Sequence, residues 1–149
     1  MRRIAAFLAA VLLAACSGPT GPAVELGRDP ALLVGATWRL QQVTLPAGFS
    51  VPANARFTAS FGPEGRVGGS AGPNGYGATY VAGEDGTIAI KDAVSTLVGG
   101  PEAERAGRHL LAMVRSVQFE VAETELRLYS ADGGYLLFRR DALRLLDGS

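Results

Sequence analysis

The chain has 149 residues, 48% of them hydrophobic but only 7% aromatic, with 20 glycines, 14 basic and 14 acidic residues, and a single cysteine. That length holds one domain with one modest core, built from Leu, Val, Ala and a few aromatic rings. The charges cancel and no cluster of Lys and Arg occurs, which excludes a phosphate-neutralising surface, so no nucleic-acid partner is expected.

The chain opens Met1-Arg2-Arg3, continues through the apolar run Ile4 to Leu13, and reaches Ala14-Ala15 before Cys16. A positive start, an apolar run too short to cross a bilayer and small residues before a break predict a secretory signal over residues 1–15. Leu13-Ala14-Ala15-Cys16 resembles the lipobox of bacterial lipoproteins, in which the thiol is alkylated by diacylglycerol and then becomes the first residue. The resemblance implies that Cys16 is the lipidation site and that a membrane is a partner through it. Two or three acyl chains hold such a protein where one would be marginal. The expected location is the cell envelope, with Ser17 after the cysteine favouring the outer membrane, facing the periplasm. Loss of Arg2 and Arg3 leaves 12 basic against 14 acidic residues, a net charge of 12 − 14 = −2. With no second cysteine, the mature domain forms no internal disulfide.

Residues 16–31, with three prolines between Ser17 and Pro30, read as a flexible tether, and 32–140 as the folded domain. Thr37 to Val43 reads as a strand with Trp38 and Leu40 on one face, and Leu45 to Ala55 as a loop. Arg56 to Phe61, the turn Gly62-Pro63-Glu64-Gly65 and Arg66 to Ala71 form a first hairpin. Tyr76 to Ala82 and Thr87 to Lys91, joined by Gly83-Glu84-Asp85-Gly86, form a second. The run from Gly68 to Gly77 lacks the Gly-Lys-Ser/Thr ending of a phosphate loop and opens a strand, so its glycines serve positive φ and close backbone approach.

One helix is predicted from Glu102 to Arg115, with Pro101 at its start and Glu102 and Glu104 offsetting its dipole. Ala103, Ala106, Leu110, Leu111, Val114 and Val117 make its apolar stripe, which places His109 on the opposite, solvated side. Val117 to Val121 re-enters the sheet. Leu126 to Ser130 and Tyr135 to Arg139, around Ala131-Asp132-Gly133-Gly134, form a third hairpin, and 141–149 is a tail whose start, Asp141 to Leu146, reads as a short helical turn. The predicted fold class is α+β: a mostly antiparallel, curved β-sheet packed against one amphipathic helix.

The residues offer little reactive chemistry. One histidine and no second cysteine cannot assemble a zinc site or a Cys-His pair, and no Gly-x-Ser-x-Gly elbow accompanies a serine. Glu84-Asp85 and Glu120, Glu123 and Glu125 read as solvated turn and edge carboxylates. No catalytic residue, metal or cofactor is expected.

In order along the chain, Trp38 and Leu40, Phe57 and Phe61, Asn74 and Tyr76, Thr96, Leu110 to Val117, Leu126 and Leu128, and Leu136 and Phe138 resemble the pattern of the META domain family, whose members include HslJ-like heat-shock lipoproteins. The likeness runs from about Leu32 to Arg139. Pro73 and Gly100 stand where the family often has two cysteines, and Ala78 stands at a usual glycine, so the resemblance implies that a family disulfide is lost as a unit. It further implies a non-catalytic envelope protein linked to heat or envelope stress or antibiotic tolerance, acting by binding a protein or cell-wall component. An alternative is a small-ligand or enzyme-inhibitor module presenting Asn74, Tyr76 and Tyr80. Set against that alternative, Asn74 holds a left-handed turn and the tyrosines pack on the sheet.

Overall fold

Alternating side chains with one apolar face require a surface to close on, and here the sheet closes on itself. The computed structural model describes residues 23–141. Its strands are β1 (Thr37–Thr44), β2 (Ser50–Pro52), β3 (Thr58–Phe61), β4 (Arg66–Ala71), β5 (Asn74–Ala82), β6 (Ile88–Ser95), β7 (Ser116–Val121), β8 (Glu125–Ser130) and β9 (Tyr135–Arg140), with helix α1 (Pro101–Val114) between β6 and β7. They run in the order β6-β5-β4-β3-β1-β9-β8-β7, with every strand pair antiparallel and β2 added beside β1. The outer strands meet where Thr87 bridges Gln118 and the Phe119 amide donates to the Gly86 carbonyl at 2.8 Å. The curved sheet is therefore a nearly closed barrel.

Register shifts at Leu40/Gln42, Gly77/Thr79 and Ser116/Gln118 supply the local bends that such curvature needs. The shift between β5 and β6 includes Asp92, which carries a positive φ of 55°. The inward faces fill the barrel: Trp38, Phe57, Phe119, Phe138, Leu126 and Leu128 are all fully buried. At one mouth a 3-10 turn, Pro30–Leu33, inserts Leu33, whose carbonyl receives the Trp38 indole N–H at 3.1 Å. Helix α1 crosses the other mouth.

Several sequence expectations change here. The chain joins the sheet at Gly27, five residues before Leu32, through two backbone hydrogen bonds with Val121, and Asp29 caps the 3-10 turn. Part of the expected loop Leu45 to Ala55 is β2, tied to β1 by a Thr44–Ser50 hydroxyl contact of 2.8 Å. The helix buries Ala106, His109 and Met113, whereas Leu111 and Val117 are 48% and 44% exposed. Ala106 sets this rotation: it lies over the β4–β5 turn, where even a Cβ on Gly72 would come within 3.2 Å of its methyl. His109, three residues on, consequently points inward, edge-on to Phe57 at 6.2 Å, and is not solvated.

Glu125 is also not part of a solvated face. It is 4% exposed at the start of β8, and its carboxylate meets Arg127 at 2.8 Å and Arg139 at 3.5 Å. Cys16 and most of the expected C-terminal turn lie outside the described residues. Among those described, no helix is long and apolar enough to cross a membrane.

Candidate functional site

The glycine-rich run forms the β4–β5 hairpin and its two-residue turn Gly72-Pro73, with Gly72 at φ 60°. The left-handed residue is thus Gly72 and not Asn74; among the described residues the non-glycine with positive φ is Asp92. Asn74 instead fastens the β6–α1 loop. Its side-chain oxygen accepts from the Val98 amide at 2.7 Å and the Thr96 hydroxyl at 2.9 Å, and its nitrogen donates to the Val98 carbonyl at 3.0 Å. Thr96 completes the clasp by accepting from the Gly75 amide through its hydroxyl and donating its own amide to the Gly75 carbonyl.

The two tyrosines face the interior. Tyr76 stacks on Phe57 with ring centroids 5.2 Å apart and donates its hydroxyl to the Thr58 carbonyl at 2.7 Å. Burial pushes its phenol far above the usual tyrosine range. Tyr80 sits edge-on to Phe61 and donates to the Gly62 carbonyl, and burial raises its phenol as well. Asn74, Tyr76 and Tyr80 therefore do not converge on one exposed surface; their polar atoms hold loops and strands together.

The open surface around them is apolar. A groove of about 320 Å³ lies between the β6–α1 loop and the Ala103, Gly107 and Leu110 side of α1, and Leu97 and Val98 on its rim are 96% and 55% exposed. A second cleft, of about 160 Å³, opens at the barrel mouth between the end of β1, the last turn of α1 and the β8–β9 hairpin. Arg115 and Asp132 stand on its rim, neither marked by any motif. Only their charge and their positions at a helix end and a hairpin turn hint at a role.

Among the described residues, no group of three His, Cys, Asp or Glu side chains is placed to hold a metal ion. His109 is 8% exposed, its Nε2 lacks a hydrogen-bond partner, and burial, with Arg108 adding repulsion, lowers its pKa. The native state thus holds fewer protons than the unfolded chain, so His109 contributes stability above the ordinary histidine pKa near 6.5, and that stability is lost as pH falls below it. Urea midpoints of the parent chain should drop between about pH 8 and about pH 5, one to two units either side of that value, and His109→Leu should flatten the slope. Equal slopes in both proteins would remove His109 as the cause.

Residues 31–142 match the family model of the META domain. Among solved structures, one described as the NMR structure of the protein from Burkholderia xenovorans superposes with a TM-score of 0.64 at 21% identity, covering 84% of this chain and 97% of that one. A second NMR structure gives a TM-score of 0.53 at 16% identity, with coverages of 74% and 93%. Those identities carry the fold alone. No curated protein matches the sequence. The family model spans most of the chain and the barrel lies within it, so the chain belongs to the META domain family.

Proposed function

We propose that this META-domain protein is a lipid-anchored envelope lipoprotein and a non-catalytic binding module, held at the outer membrane facing the periplasm and serving heat or envelope stress or antibiotic tolerance. The observation that carries the anchoring is Leu13-Ala14-Ala15-Cys16, placed at the end of the apolar run and holding the one cysteine of the chain. Ten residues separate Cys16 from Gly27, where the chain joins the barrel. Extended, they reach roughly 35 Å, enough to hold the domain clear of a bilayer surface. Gly27 enters at the mouth filled by the 3-10 turn, so the mouth crossed by α1, with both clefts at it, is free to point away from the membrane. The binding role is supported by the groove and the cleft at that mouth, and among the described residues the single histidine is packed against Phe57.

The test is metabolic labelling with a tagged fatty acid followed by membrane fractionation. The parent chain should carry the label and sediment with membranes, and Cys16→Ala should lose the label and appear in the soluble envelope fraction. Continued labelling or sedimentation of Cys16→Ala would reject the anchor. A deletion phenotype fully restored by the soluble variant would reject the need for tethering.

A further inference from the structure

The barrel mouth crossed by α1 is left unsealed at the helix's C-terminal end, where the cleft of about 160 Å³ opens. Its floor is the core itself: Leu128 and Leu136 are 0% and 3% exposed, and Val43 and Ala112 form half-buried walls. An aliphatic cavity of about 150 Å³ accommodates a group the size of benzene. A branched four-carbon or phenyl side chain therefore fits, and barrel mouths are a recurring place for such sites.

Two opposite charges stand on the rim. Arg115, the exposed C-cap of α1, enters none of the ion pairs formed among the described residues. Asp132 takes the Ser130 hydroxyl and the Gly134 amide, both on Oδ1, and Oδ2 makes no hydrogen bond among the described residues. Those two donors, with the Arg115 charge behind them, hold the Asp132 carboxyl below its ordinary pKa, so it is ionised at neutral pH. The last carbonyls of α1 add a negative pole near the same rim. Among the described residues, a cationic group without an ion-pair partner and a carboxylate oxygen without a hydrogen bond thus flank an apolar slot.

We propose that this cleft binds a free α-amino acid with an apolar side chain. The side chain lies over Leu136 between the Val43 and Ala112 walls, the carboxylate pairs with Arg115, and the ammonium pairs with Asp132 Oδ2. A simple fatty acid or amine engages one pole and forgoes the second charge-assisted contact, which is the basis of selectivity. The assignment rests on the reading of the domain as a binding module and is independent of its anchorage.

The test is an NMR titration of the full-length protein in detergent micelles, following the amides of Arg115, Leu128, Asp132 and Tyr135. L-leucine is compared with isocaproate, which lacks the ammonium, and isoamylamine, which lacks the carboxylate. Leucine should give saturable shifts, and each analogue should bind at least tenfold more weakly. Arg115→Gln should weaken leucine at least tenfold while leaving isoamylamine unchanged; Asp132→Asn, which keeps an acceptor for the Gly134 amide, should weaken leucine at least tenfold while leaving isocaproate unchanged. Equal binding of all three compounds, or no saturable shift with leucine, overturns the site. Capture of envelope components on the same protein separates the two readings. A specific component retained without a leucine shift rejects the amino-acid site alone, whereas loss of both rejects the binding module as well.

Discussion

Phe57→Ala should lower the stability of the domain by about 3–5 kcal/mol, the range for truncating a fully buried aromatic ring. Phe57 joins the two parts of the core. Its ring stacks on Tyr76 from β5 at 5.2 Å, meets Phe138 from β9 at 6.3 Å and receives the edge of His109 from α1 at 6.2 Å. Its own carbonyl accepts from the Leu40 amide at 2.9 Å, which fixes the backbone and prevents the barrel from collapsing into the space. A domain of this size is stable by only about 5–15 kcal/mol, so the variant is expected near its unfolding limit. Trp38, the single tryptophan and fully buried, reports the transition by fluorescence. Val81→Ala is the comparison: Val81 is 74% exposed, and a change within about 0.5 kcal/mol is expected. Similar urea midpoints for Phe57→Ala and the parent chain would show that the ring is not central.

The strands were legible because burial on one face writes itself into alternate residues. β4 matches its expected span Arg66–Ala71, and β7 and β9 agree within one residue. What the sequence did not disclose depends on partners far along the chain. Asn74 reads as a turn residue, and its true partners Thr96 and Val98 lie 22 and 24 positions away. Barrel closure rests on the Thr87–Gln118 bridge, which no local pattern announces. The expected helical stripe agrees at Ala106, Leu110 and Val114, which pack on the core, and differs at Leu111, which is exposed, and at His109, which is not: the fit of Ala106 over the β4–β5 turn carries His109 inward. Glu125 was misjudged for a similar reason: its cross-strand partner Arg139 and its neighbour Arg127 neutralise a carboxylate that a single strand would leave in water. The site residues were least legible of all, since Arg115 and Asp132 gain meaning only when a helix end and a hairpin meet at the barrel mouth.

Gly69→Ala should cost about 3 kcal/mol, although it adds only one methyl to a half-exposed strand position. The reason lies in the neighbouring strand. The Thr58 carbonyl receives the Tyr76 hydroxyl, and the Thr58 hydroxyl accepts from the Ser70 amide at 3.0 Å, so that residue is held from two sides. A Cβ on Gly69 would lie 2.2 Å from the Thr58 carbonyl oxygen and 2.8 Å from its carbon. These are backbone atoms, which cannot swing away as the end of a side chain would. Relief requires β3 and β4 to separate, which breaks the Tyr76 and Ser70 contacts together. Gly77, in the same run, is the internal comparison: a Cβ there meets nothing within 4 Å. Gly77→Ala should be neutral or stabilise by about 0.4–1 kcal/mol through the unfolded chain. Thermal unfolding of the two variants distinguishes a structural run from a ligand loop. If Gly69→Ala melts with the parent chain, the close approach is not what requires glycine. If both variants melt low, the run is under a constraint other than the β3–β4 contact.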